Sequence, residues 1–271
     1  MPEIAECIAF ANHKGGTGKT TSCLSIAGFL AKGGSKVLLI DFDPQANATS
    51  GIGIDKLTVK HSMYDAILSL CDGYEGMPLR NIILETDVEN LHLAPSEWDL
   101  SVVEVIMQNT RDKVTLLRML IQSVQSLYDY ILIDTPPSSG LLLMNCFFAA
   151  DHMIIPFDPG IFSLEAIDNL KTTFLDVKHN TGHTFNKLTI VLTRYVKQKP
   201  LTRKHGNNPS LQVKKMLAGM FKSIFIVPES PEIYKSQKRG TPISHCAPKS
   251  KVGKAYKKIA DAIKIHKVLI N

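Results

Sequence analysis

The chain has 271 residues, 44% of them hydrophobic and 21% charged, with a formal net charge of +6. That length suits one large α/β domain. No apolar stretch approaches the roughly 20 residues that span a bilayer, and the acidic start Met-Pro-Glu-Ile-Ala-Glu lacks the basic-then-apolar order of a secretion signal. Five cysteines (Cys7, Cys23, Cys71, Cys146, Cys246) are scattered, odd in number and without a C-x-x-C pair. They read as buried thiols of a reducing cytoplasm, not as a disulfide or zinc framework.

In chain order, a first strand over Ile8–Ala11 leads into Lys14-Gly15-Gly16-Thr17-Gly18-Lys19-Thr20-Thr21 and a helix over Thr20–Lys32. Three glycines in four positions let the backbone aim successive N–H groups at one point, and the helix adds its positive end. The turn is a phosphate cradle in which Lys19 reaches the terminal phosphates and the Thr20 hydroxyl is placed for Mg²⁺. The first glycine of the G-x-x-x-x-G-K-[ST] pattern would fall at His13, and Lys14 is an extra cation. A loop folded around its own nucleotide has a place for Lys19 and none for Lys14, which could point instead toward a nucleotide held by a second subunit.

A second strand over Lys36–Phe42 ends in Asp41-Phe42-Asp43-Pro44-Gln45. Strand alternation puts Asp41 and Asp43 on one side, at the carboxyl end where α/β sheets bind ligands. Such acids hold a metal-bound water, orient an attacking water, or serve only as turn formers and caps. Next come a helix over Ser62–Leu70, a strand over Leu91–Ala94, and helices over Leu100–Gln108 and Lys113–Leu127. The strand Tyr130–Asp134 then has the form of a Walker B strand, four apolar residues closed by an acid that contacts Mg²⁺ through water. A helix over Leu141–Ala150, a strand over Met153–Phe157, a helix over Leu164–Lys178 and a strand over Leu188–Thr193 follow. A polar loop from Lys197 to Pro209 precedes a helix over Leu211–Phe221, a strand over Ile224–Val227 and a last helix over Lys251–Lys267. Continuous Val/Ile/Leu strands alternating with helices predict a single α/β domain over residues 1–271, with a mostly parallel twisted sheet covered on both faces.

Residues 187–267 carry 19 Lys or Arg against three acids, while the rest of the chain holds 12 against 22. A solvated surface mixes its signs, so this split points to a polyanion partner for the C-terminal third, with an inconsequential basic surface as the plainer alternative. In the last helix Val252, Tyr256, Ile259, Ile263 and His266 form one narrow apolar stripe ringed by Lys254, Lys257, Lys258 and Lys264. A membrane-lying helix wants a wider apolar face, so docking against the sheet is the simpler role.

The phosphate loop with its additional lysine resembles the deviant Walker A loop of the ParA/MinD family of ATPases. The segments Asp41-Phe42-Asp43-Pro44-Gln45, Asp134-Thr135-Pro136-Pro137 and Ile154-Ile155-Pro156 extend the resemblance over nearly the whole chain. It implies a P-loop ATPase that takes ATP and Mg²⁺ and forms a homodimer around two sandwiched nucleotides, with Lys14 touching the opposite subunit's phosphates. Carried over, Asp43 is associated with hydrolysis, Thr20, Asp41 and Asp134 with Mg²⁺, and Pro228 and Glu229 with the loop that cups the base. The spread of Lys197, Lys199, Arg203, Lys204, Lys235, Lys238, Arg239, Lys249, Lys251 and Lys254 resembles the patch by which ParA proteins hold double-stranded DNA without reading sequence. The first strand begins too early for an N-terminal helix-turn-helix extension. The resemblance therefore implies a cytoplasmic, nucleoid-associated partition ATPase stimulated by a ParB-like centromere-binding protein. Its alternatives are a MinD-like membrane-associated positioning ATPase and ParA-like positioning of a protein cargo.

Overall fold

A computed structural model describes residues 4–138, 140–158, 187–196, 217–219, 221 and 223–270. Eight strands form one sheet: β1 (Glu6–Phe10), β2 (Val37–Asp41), β3 (Leu84–Glu85), β4 (Leu91–Ala94), β5 (Tyr130–Asp134), β6 (His152–Phe157), β7 (Lys187–Tyr195) and β8 (Ile224–Pro228). Their spatial order is β3-β4-β2-β5-β1-β6-β7-β8. Every neighbouring pair is parallel except the short edge pair of β3 and β4. The chain builds outward from β1 through β2 on one side and crosses β1 on passing from β5 to β6. The carboxyl ends of β1, β2 and β5 thus lie side by side at the reversal, where open α/β sheets bind ligands.

Alternation along the strands divides the core in two. Ile8 and Phe10 of β1, Leu39 of β2 and Leu132 of β5 face α1 (Lys19–Lys32) and the C-terminal helix Lys251–Ile270. Cys7, Ala9, Leu38, Ile40, Ile131 and Ile133 face the other layer. That layer holds α3 (Met63–Leu68), α5 (Leu100–Met107), α6 (Leu116–Gln122) and α7 (Leu141–Ala149); α2 (Asn47–Gly51) and α4 (Leu79–Ile82) are single short turns. Burial on both faces explains why these strands read as unbroken apolar runs.

The expected strands, and the expected helices Thr20–Lys32, Ser62–Leu70, Leu100–Gln108, Leu141–Ala150 and Lys251–Lys267, are present with ends moved by at most three residues. The run Lys113–Leu127 is not one helix. Asp112 takes a left-handed φ of 56°, helix begins only at Leu116, and it stops at Gln122 before a separate 3-10 turn over Gln125–Leu127. The helix Pro231–Lys238 has no counterpart among the expected elements, although Ser230 caps it by accepting from Glu232 N and Pro231 opens it. The expected helix Leu164–Lys178 lies outside the described residues, as does most of Leu211–Phe221.

The apolar stripe of the C-terminal helix is core from Val252 to Ile263, and the His266 side chain lies outside what the structure describes. Val252, Tyr256, Ile259 and Ile263 are buried against α1, with Tyr256 Oη 3.2 Å from Ser22 Oγ. The lysines around it are not all given over to solvent. Lys264 Nζ donates to the Gly33 carbonyl at 2.7 Å, closing the end of α1, and Lys257 pairs with Asp261 at 2.7 Å. A Cβ at Gly33 would sit where the Lys264 amine lies, so the glycine admits that closure.

Candidate nucleotide site

The phosphate loop leaves β1 through Asn12, whose amide ties it to the sheet. Asn12 Nδ2 donates to Pro156 O of β6 at 2.8 Å, and its Oδ1 accepts from Lys14 N at 3.0 Å. Gly16 and Gly18 take φ of 75° and 91°, the left-handed region that a side chain strains, so the loop needs glycine at these positions. Thr17 is buried and faces inward, its carbonyl accepting from Thr193 Oγ1 of β7 at 2.9 Å. The loop is thereby anchored to β6 and β7 before any ligand arrives.

Gly15, Gly16, Gly18, Lys19, Thr20, Thr21 and Asp43 line a cleft of about 540 Å³, together with Gln45, Arg194 and Gln237. Lys19 is buried and its Nζ donates to the Asn12 carbonyl at 3.1 Å. Burial presses its pKa below the ordinary lysine value, while the charges of Asp134 and Asp43 act the other way. Lys14 is exposed and does not line this cleft.

Three carboxylates meet behind Lys19. Asp134 closes β5 and is fully buried; its Oδ2 accepts from Thr20 Oγ1 at 2.6 Å. Its Oδ1 is buried without a hydrogen-bond partner among the described residues. Burial first, and the neighbouring Asp41 second, push this carboxyl well above the ordinary range. Asp41, paired in register with Asp134, is also fully buried, and burial raises it to about 6. Its Oδ2 accepts from both Thr49 N and Thr49 Oγ1 at 2.7 Å, and its Oδ1 accepts from Asp43 N at 3.3 Å.

Asp43 is not on the strand, contrary to the alternation argument. β2 ends at Asp41, and Asp43 lies in the following turn, where its Oδ1 accepts from Gln45 N at 3.0 Å. It reaches the cleft all the same, with its pKa raised by burial. A buried, unpartnered oxygen next to a hydroxyl is an arrangement that a hydrated divalent cation satisfies. Thr20 and Asp134 therefore fit Mg²⁺ directly. Asp41, occupied by three donors, holds the turn that carries Asp43 and Thr49.

Pro228 and Glu229 line a second pocket of about 240 Å³ that continues from the cleft past Gly18 and Thr21. Among its residues that sequence reasoning missed are Thr193, Arg194 and Gln237. Gln237 Nε2 donates to Thr21 Oγ1 at 3.0 Å, fixing the helix Pro231–Lys238 to the start of α1. Arg194 lines both cavities from a left-handed φ of 48°, with its guanidinium 2.9 Å from Asp158. Strand alternation carries no signal for a residue held in that conformation; for Gln237 the Ser-Pro-Glu cap upstream was the available clue. Nearby, Gly53 and Gly240 cross backbone to backbone, both at positive φ, and a Cβ on Gly240 would overlap the Gly53 main chain.

Of the expected basic contacts, Lys235, Lys238, Arg239, Lys249, Lys251 and Lys254 are exposed, and Lys235 pairs with Glu232 at 2.9 Å. Lys197, Lys199, Arg203 and Lys204 lie outside the described residues.

A glycine-rich turn between β1 and α1, a buried Lys, and a Thr–Asp pair at the reversal of a parallel sheet define a P-loop nucleotide-binding ATPase. Residues 5–190 match the family model described as an AAA domain. The Soj protein of Bacillus subtilis, a sporulation initiation inhibitor, is 32% identical over 261 residues, covering 96% of this chain and 98% of its own length. A protein of Pseudomonas putida is 40% identical over 167 residues, 62% of this chain and 61% of its own length. Among solved structures, a cobyrinic acid a,c-diamide synthase of Mycobacterium smegmatis with bound ATP analog and magnesium superposes with a TM-score of 0.80 at 26% identity. That match covers 97% of this chain and 95% of the other. The chain belongs to the ParA/Soj family of ATPases, and ATP with Mg²⁺ is the ligand pair of its cradle.

Proposed function

We propose that the chain is a DNA-partition ATPase in which Mg²⁺-ATP closes two copies into a sandwich, and the closed dimer holds DNA without reading its sequence. The observation that carries this reading is the division of labour between two lysines. Lys19 is buried within the cleft beside Asp134 and Asp43, whereas Lys14 stands exposed at the rim of the same loop. Lys19 neutralises the phosphates of its own subunit's nucleotide, and Lys14 extends to those of the partner, so nucleotide loading and pairing are one event. Mg²⁺, when bound, supplies charge neutralisation at the phosphates, with Thr20 and Asp134 as its protein contacts. Asp43 orients the attacking water from its turn, and Asp41 fixes that turn. Pro228 and Glu229 flank the base.

Pairing doubles the exposed cations of the C-terminal third, which raises DNA affinity by avidity and makes it steeply salt-dependent. The names of relatives support the partition role: a protein of Myxococcus xanthus, 32% identical over 256 residues, is a chromosome partitioning protein ParA. A ParB-like partner that stimulates hydrolysis, and a cytoplasmic, nucleoid-associated setting, complete the reading. The membrane alternative is disfavoured because the stripe Val252, Tyr256, Ile259 and Ile263 is packed into the core. Among the described residues no helix is long and apolar enough to cross a membrane.

The test is a Lys14→Gln protein assayed for ATP-dependent mass doubling and DNA retention. Loss of both with nucleotide affinity intact is expected; normal pairing and turnover in this variant would refute the cross-subunit lysine.

A further inference from the structure

The phosphate cleft and the pocket beside Pro228 and Glu229 share four lining residues: Gly18, Thr21, Arg194 and Gln237. These four form the neck between the two cavities. A nucleotide with its terminal phosphates against Lys19 and its base in the second pocket must pass its α-phosphate and ribose through that neck. Gly18 offers only backbone there, and the Thr21 hydroxyl already accepts from Gln237 Nε2. Among the described residues lining either cavity the cations are Lys19 and Arg194, and only Arg194 belongs to both.

Strained backbone aims that guanidinium. The pairing of β7 with β8 slips register between Leu192 and Tyr195, and Arg194 takes its left-handed φ inside the slip. Strain of this kind persists where surrounding contacts enforce it. On one side Thr193 Oγ1 donates to the Thr17 carbonyl of the phosphate loop at 2.9 Å. On the other, Asp158 follows directly on β6 with a side chain 6% exposed, and its Oδ2 accepts from Arg194 Nη1 at 2.9 Å. The Arg194 side chain itself is 53% exposed. A fork held through one nitrogen keeps further N–H groups for a phosphate oxygen.

We propose that Arg194 grips the α-phosphate of the bound nucleotide, and that Asp158 is the positioning residue that aims it. The contact deepens the phosphate-loop reading and rests on it, but does not rest on pairing of two copies. ATP and ADP carry the same α-phosphate, so Arg194 holds substrate and product alike and adds to occupancy without choosing between them.

The test is calorimetric titration with Mg²⁺-ADP and with a non-hydrolysable ATP analogue. Arg194→Gln should weaken both by the same factor, at least about tenfold. Arg194→Lys keeps the charge without the fork and should lose less. Arg194→Gly relieves the backbone strain, so it should keep the apo Tm while losing affinity as far as the Gln variant. Asp158→Asn should cost a smaller factor, and nothing further in an Arg194→Gln background. The two ADPαS diastereomers should differ in affinity for wild type by more than for Arg194→Gln, since only one turns its sulfur toward the guanidinium. ADP affinity within about twofold of wild type in Arg194→Gln, or a loss confined to the ATP analogue, overturns the proposal. So does an Arg194→Gly protein of wild-type affinity, which would leave the residue a backbone role alone. Additive losses in the double variant remove the aiming role of Asp158. Wild-type protein that binds neither nucleotide sinks the phosphate-loop reading itself, whereas normal pairing in Lys14→Gln sinks the sandwich and leaves these affinities unaffected.

Discussion

Asp134 illustrates how one side chain can be costly to the apo fold and necessary to the loaded one. Its buried Oδ1, without a partner among the described residues, and its raised pKa have the same cause, a carboxylate removed from water beside Asp41. A carboxyl raised in the fold favours folding at low pH, where both states are protonated, and that stability is lost as pH rises through the folded value. Asp134→Asn keeps an oxygen for Thr20 and removes the charge. We expect it to stabilise the apo protein by about 1–3 kcal/mol at pH 8, with the gain disappearing toward pH 4, read by thermal melts across pH. The same variant should lose most Mg²⁺-dependent ATP affinity in calorimetry. At Lys19 the expectation is simpler: Lys19→Ala abolishes nucleotide binding, and unchanged affinity would remove the phosphate-loop assignment. Asp43→Ala should bind ATP normally and turn it over at least a hundredfold more slowly, by single-turnover assay. Most of these groups were legible because phosphate chemistry demands glycines and a lysine at fixed spacing. Asn12, Thr49 and Arg194 were not, because they act by holding other groups, and such work leaves no pattern along the chain.

At the scale of elements, legibility followed burial. Strands covered on both faces announced themselves as apolar runs, and β1, β2 and β5 lie within two residues of the expectation at either end. Elements built by capping were harder to see: the helix Pro231–Lys238 has one buried residue, Ser236, and hence little periodicity. The run Lys113–Leu127 misled for the opposite reason, since its apolar spacing continues past Gln122, where the helix stops before a separate 3-10 turn. The C-terminal helix is the element most open to test. Ile263 is 3% exposed in the α1-facing core, so Ile263→Ala should cost about 2–4 kcal/mol in urea unfolding, whereas Lys258→Ala on its outer face should stay within about 0.5 kcal/mol. If the helix were held on the surface only by its lysines, the two substitutions would have equal effects.

Along the chain the charge is polarised, with 19 cations and three acids between residues 187 and 267 and a net acidic remainder. Lys235, Lys238 and Arg239 belong to that basic third and are exposed at one helix end. Replacing all three by Gln should weaken ATP-dependent DNA retention and lower the log–log salt slope by about 2–3. An unchanged slope would move the DNA contacts elsewhere.

That helix end finishes at Gly240, whose main chain rests on Gly53, two residues past the α2 turn that follows Asp43. Nothing compressible lies at this crossing: no methyl group to yield, no rotamer to turn. On the partition reading proposed above, a displacement of the loop after Asp43 on loss of the terminal phosphate would be passed to the cationic helix through this crossing. Loss of fuel and loosening of the grip on a nucleic acid would then share one mechanical joint, made from the two residues that have no side chain to cushion it.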